Sequence, residues 1–152
     1  MMRSQALPHY HFQSNNKQIS NDAIELILLL TRRHTYYVQY CCNRLFATGK
    51  RKIDKYEVSE EFKKLLLENE PYYFEYRNLI TSQQWSLLIA LAKENGIKEI
   101  TSGEFMKTYN LSNAASIKRG IEALLKKELV CLVGEKYFVY DVFLSQWLSQ
   151  KF

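Results

Sequence analysis

A mainly α-helical protein is the fold class that three features of this sequence predict. Residues 101–140 read, in order, as a short helix, a tight turn, a second helix of regular apolar period and two β-rich stretches around Gly134-Glu135. Helix-capping residues precede apolar runs along the rest of the chain. The β-rich stretches identified are confined to that one hairpin. The order in 101–140 is that of a winged helix-turn-helix. The expected architecture is therefore an N-terminal helical subdomain over residues 1–75, then a winged helix-turn-helix domain with a small β-hairpin over residues 76–152.

Residues 1–18 are polar and irregular. Ser20 is expected to cap a first helix to Leu30, with Ile24, Ile27 and Leu28 at helical spacing. His34-Thr35 interrupts it, and Thr35 caps a second helix over 36–47 that stops near Gly49. Lys50-Arg51-Lys52 forms a basic connection. Asp54 and Glu57 stand at capping-box spacing before a third helix with Val58, Phe62, Leu65 and Leu66 on its apolar face. Pro71 ends that helix or redirects the chain ahead of the aromatic run Tyr72-Tyr73-Phe74-Glu75-Tyr76. Thr81 with Gln84 opens the next helix, carrying Trp85, Leu88, Ile89 and Leu91 and closed by Gly96. Thr101 with Glu104 opens a short helix holding Phe105 and Met106. Asn110-Leu111-Ser112 is the turn, and Ser112 caps the helix after it. Residues 130–133 and 136–140 form the hairpin. Asp141 caps a last helix with Phe143, Leu144, Trp147 and Leu148.

Composition excludes more than it assigns. With 47% apolar and 24% charged residues, the chain reads as a soluble protein with enough apolar content for a core. No apolar run reaches the ~18 residues of a membrane span, and MMRSQALPHYHF lacks a signal peptide's apolar core. A cytoplasmic location without membrane contact is expected. Three cysteines, Cys41 and Cys42 adjacent, make no disulfide framework and read as small buried apolar residues. The net charge of +5 permits a nucleic-acid partner. Yet the excess is +3 before residue 78 and +2 from there on, and phosphate binding needs a local cluster.

In the helix after the turn, Ala114, Ile117, Ile121, Leu124 and Leu125 gather on one side. Ala115, Ser116, Arg119, Glu122, Ala123 and Lys126 lie opposite, with Asn113 and Lys118 on the flanks. A helix entering the major groove needs small or polar residues in its first turns, so that donors reach base edges and phosphates. Asn113, Ser116, Lys118 and Arg119 meet that need, with Lys126 and the hairpin's Lys136 as further DNA-contacting candidates. An ordinary solvated face explains the same residues, and Glu122 favours that alternative. Gly120 lies mid-helix, where close helix packing would account for it.

Two stretches together resemble the C-terminal region of the archaeal-type P-loop ATPases, relatives of the AAA group. IELILLLTRRHTYYVQYCCNRLF is similar to the helical lid of that family, where Gly-His-Pro-x-Tyr-x-Gln is usual. LITSQQWSLLIALAKE with NLSNAASIKRGIEALLKKELVCLVGEKYFVYDVFLSQWL resembles its winged-helix tail. The matching positions are His34, Tyr37 and Gln39; Gln84; Leu111, Ser112 and Ser116; and Tyr140, Asp141, Phe143 and Trp147. Arg33, Thr35 and Val142 replace the usual glycine and two prolines. The resemblance implies that residues 1–75 are lid-like and that His34 and Tyr36 lie near nucleotide in an intact ATPase. It implies ATP and magnesium in a parent protein and an ATPase domain as partner, in cis or in trans.

This sequence has no G-x-x-x-x-G-K-[ST], so no enzymatic activity is expected of the chain alone, and no cofactor. His9-Tyr10-His11 lacks a third ligand at suitable spacing, so no metal site is expected. Lys50-Arg51-Lys52 with Lys55 is the densest basic cluster and reads as phosphate-contacting or as plain solvated surface. No catalytic constellation stands out. The function expected is a non-catalytic regulatory module of a P-loop ATPase whose winged helix binds DNA. The alternatives are a winged helix used for protein contact or oligomerisation, and a free-standing DNA-binding transcription regulator.

Overall fold

Capping chemistry sets most helix starts in the computed structural model, which describes residues 16–152. The expectations for residues before Asn16, including His9 and His11, lie outside the described residues. The order is β1 (Gln18–Ile19), α1 (Asn21–Leu30), α2 (Thr35–Ala47), β2 (Lys52–Ile53), α3 (Lys55–Asn78), α4 (Ser82–Glu94), α5 (Gly103–Thr108), α6 (Ala114–Lys126), β3 (Val130–Val133), β4 (Lys136–Val139) and α7 (Val142–Lys151). The chain divides into two compact units, Met1–Glu68 and Asn69–Phe152.

In the first unit, Ser20 Oγ accepts from the Ala23 amide at 3.2 Å and starts α1. Ala23, Ile24, Ile27 and Leu28 of α1 are buried, as are Val38, Cys41, Cys42 and Leu45 of α2. Burial pushes the Cys41 thiol up to about 12 and the Cys42 thiol up to about 11, so both stay protonated at neutral pH. Two expectations are corrected here. Thr35 is the first helical residue of α2 rather than its cap, because His34 holds the extended cap conformation. Gln18 and Lys52 are not irregular connections: β1 and β2 pair in parallel, Gln18 with Lys52 and Ile19 with Ile53. Asp54 Oδ1 accepts from the Glu57 amide at 3.0 Å ahead of α3, and Val58, Phe62, Leu65 and Leu66 are buried along it.

Pro71 does not end α3, which continues through it to Asn78. A proline removes one donor and strains one turn, and packing of the flanking residues can outweigh that. Here the flanking residue Tyr73 is buried 5.3 Å from the Trp147 ring, and Phe74 meets that ring edge-on at 5.0 Å.

In the second unit, Thr81 and Gln84 form the complete reciprocal box at the start of α4. The helix ends at left-handed Asn95, followed by Gly96 at φ 106°, where an added Cβ would overlap the Phe138 ring at 2.1 Å. Caps at the next two helices fall one residue later than expected. Ser102, not Thr101, accepts from Phe105 at 3.2 Å, and Asn113, not Ser112, accepts from Ser116 at 3.0 Å. In both places two capping residues are adjacent, and the register that buries Phe105 and Ile117 decides. α6 packs on α4 with Gly120 against Leu87, 3.3 Å from where a Cβ would stand. The β3–β4 hairpin pairs Val130 with Val139 through Val133 with Lys136, leaving Gly134-Glu135 as a two-residue loop. Ile97 bridges to Tyr137 on the other side of β4, so β3 is the outer strand. α7 packs on α4, and Trp147 joins Tyr73, Phe74, Trp85 and Phe152 in an aromatic cluster. Trp147 Nε1 donates to Glu70 at 2.7 Å.

Candidate nucleic-acid interface

The candidate surface begins with the periodicity of α6. Ile117, Ile121 and Leu124 are buried, and Ala114 and Leu125 are half-buried. That turns Ala115, Lys118, Arg119, Glu122 and Lys126 outward, all exposed. Ser116 is half-buried and belongs to the rim of this face rather than its crest. The structure therefore brings five of the expected DNA-contacting residues, Asn113, Ser116, Lys118, Arg119 and Lys126, onto one helix start and its outward face. The sixth, Lys136, is exposed on β4 beside the hairpin loop.

Their bonding differs. Asn113 Oδ1 accepts from the Ser116 amide, which leaves its amide nitrogen as the side chain's donor for a ligand. Arg119 Nη2 donates to Ser116 Oγ at 3.3 Å. Lys118, Arg119, Lys126 and Lys136 form no ion pair among the described residues. The hairpin loop is less suited to phosphate, since it carries the Glu135 carboxylate, which occupies Lys98 at 2.6 Å, and Leu132 and Val133 stand exposed beside it.

A groove of about 570 Å³ with a mixed polar and apolar lining opens beside this face, between the start of α4 and the start of α6. Ser82, Gln83 and Ser86 line it from α4, and Ser112, Ser116 and Arg119 line it from the turn and α6. The α4 contribution has no sequence signature. Its residues stand 33 to 37 positions before Arg119, and only the packing of α4 on α6 brings them together. The polar run Thr81-Ser82-Gln83-Gln84, more polar than one cap requires, is the faint signal that exists.

His34 and Tyr36 lie in the first unit. His34 caps α2 without a side-chain cap bond, its ring 5.2 Å from that of Tyr37. Tyr36 is exposed and meets the Tyr37 ring edge-on at 5.1 Å. In the basic cluster of that unit, Lys50 is ion-paired with Glu57 and Lys52 belongs to β2. Among the described residues no group of three or more His, Cys, Asp or Glu could hold a metal ion, and no helix is long and apolar enough to cross a membrane.

A helix–turn–helix closed by a hairpin on a three-helix core defines a winged-helix protein. The comparison with protein families agrees: the family described as "Probable winged helix domain" matches residues 71–150, and the chain belongs to it. No curated protein and no solved structure matches the chain. The match begins at Pro71, within α3, so its last turns belong to the winged-helix domain along with α4–α7.

Proposed function

We propose that this protein is a DNA-binding winged-helix module without catalytic activity of its own, serving a P-loop ATPase in cis or in trans. The observation that carries DNA contact is the outward row Lys118, Arg119 and Lys126 on α6, cations left without carboxylate partners among the described residues. Unpaired cations along an exposed helix face are what a phosphate backbone requires. Glu122, which would repel a phosphate, can accept from a cytosine amino group once α6 lies in the major groove. The ATPase connection rests on the resemblance of the two quoted stretches, with His34 and exposed Tyr36 as the residues facing nucleotide. ATP and magnesium would be held by the parent domain, because this sequence offers no phosphate-binding loop.

The test is binding of a short DNA duplex by fluorescence anisotropy over a range of salt. Affinity should fall steeply with salt, and Lys118→Ala with Arg119→Ala should lower the log–log slope by about 0.9 for each phosphate left unneutralised. Binding that ignores both substitutions overturns the assignment of α6. A second reading, contact with protein in place of DNA, is favoured by the exposed Leu132 and Val133 on the outer strand of the wing. It predicts self-association or partner capture that persists at high salt.

A further inference from the structure

The groove between α4 and α6 is distinguished by what lines it. None of its lining residues is a carboxylate, and Arg119 is its one charged side chain. The larger groove of the first unit, by contrast, is walled by Glu57, Glu60 and Glu61 together with its bases. Hydroxyls and amides around a cation, free of competing acid, make a surface chemically matched to an anion.

The shape narrows the kind of anion. A volume of about 570 Å³ is within the range of small-molecule sites, but those bury their ligand against mostly apolar walls. Here Ser82, Gln83 and Ser86 of α4 are all exposed, as are Ser112 and Arg119, so the groove lies open along a polar rim above the buried Leu87 and Ile117. A strand of linear polyanion suits such a surface better than a compact ligand does. Arg119 ties the groove to the outward face of α6, because its bond to Ser116 Oγ holds the guanidinium at the rim that the two share.

We propose that this groove seats the sugar–phosphate backbone of one DNA strand, with Ser82, Gln83 and Ser86 donating to phosphate and fixing the register of α6 on the duplex. The proposal rests on the DNA-contact reading above and extends it to a second helix. Contacts of this kind position a protein without reading sequence, so removing them weakens binding to unrelated duplexes alike.

The experiment uses the full chain and two unrelated duplexes, with anisotropy measured from about 50 to 200 mM salt. Ser82→Asp with Ser86→Asp places carboxylates in the groove. Ser82 stands in the first turn of α4, where an acid favours folding, and Ser86 is exposed on the turn after it, so the melting temperature should hold. Affinity should fall about tenfold or more on both duplexes, and the salt slope should drop by about 0.9 if Arg119, the groove's one cation, no longer neutralises its phosphate. The neutral pair Ser82→Ala with Ser86→Ala should also lose affinity, several-fold, because its hydroxyl donors are gone. Full affinity in that neutral pair overturns the proposal, since carboxylates alone can act at a distance. If the aspartate variant binds like wild type while Lys118→Ala with Arg119→Ala weakens binding, the groove is overturned and the α6 reading stands. Failure of the wild-type chain to bind either duplex at the lowest salt overturns both.

Discussion

Arg44 and Arg119 are both helical arginines, one in each unit, and their surroundings give them opposite uses. Arg44 on α2 reaches Glu61 at 2.8 Å and Glu68 at 2.7 Å, and only about a quarter of its side chain is exposed. Lys50, Lys63 and Lys64 of the same unit are likewise matched with carboxylates. Arg119 on α6 touches a serine hydroxyl, and Lys118 and Lys126 beside it have no ionic partner among the described residues. The two halves have nearly the same formal excess of positive charge. Ion pairs occur in both units, since Lys98 and Lys151 of the second are matched with Glu135 and Glu70; the difference lies in α6, whose outward cations are unmatched. Net charge by segment does not show where such cations gather.

If the contrast is right, the second unit is held by apolar packing rather than by its surface charge. Trp147→Ala is then the most damaging single change. It removes a 3% exposed ring that contacts Tyr73, Phe74, Trp85 and Phe152, and it leaves Glu70 with Lys151 alone. The expected loss is about 3–5 kcal/mol, read by denaturant unfolding. A loss below about 1 kcal/mol would break the comparison by giving cohesion back to the surface.

Arg44→Met sharpens it from the other side. The partly exposed fork to two glutamates should contribute about 1 kcal/mol, visible in unfolding, while DNA affinity stays at the wild-type value. Arg119→Ala should do the reverse, leaving the melting temperature in place and weakening DNA binding. A parallel response of the two variants in either measurement removes the distinction.

The smallest effect is one of pH. The hydrogen bond from Trp147, with Lys151 adding to it, holds the Glu70 carboxyl below its ordinary value of 4.5. A lowered folded-state value means stability that is fully present above the unfolded value and is lost as pH falls through the folded one. Melting temperature should therefore decline on acidification from about pH 4.5 downward, and Glu70→Gln should flatten part of that decline. An unchanged acid limb in the variant assigns the loss to other carboxylates.

The legible parts of the fold were those in which one residue decides locally. Ser20, the Thr81–Gln84 box and Gly134-Glu135 act over three or four positions, and each stands where the sequence places it. The fold departs from the local signals where tertiary packing chooses between local options. Pro71 is a helix stop in isolation, yet aromatic contacts of Tyr73 and Phe74 carry α3 past it. Thr101 and Ser112 are capable caps that lose to Ser102 and Asn113 by one residue. The β1–β2 pairing involves two residues per strand, too few for any period to show. At the candidate interface, the outward row of α6 is readable from its period alone. Ser82, Gln83 and Ser86 are not, because their relation to Arg119 exists only in three dimensions.

The outer position of β3 carries a consequence for how the wing can vary. Val130-Cys131-Leu132-Val133 has no charge, no proline and no bulge, and the two residues nearest the loop face solvent. Such a margin invites a neighbouring molecule to add its own strand, and the usual guards are missing. What remains is brevity, since four residues provide few groups to template on. The wing thus tolerates change at its tip far better than growth along its length: two more apolar residues per strand would turn a short margin into a seed for aggregation.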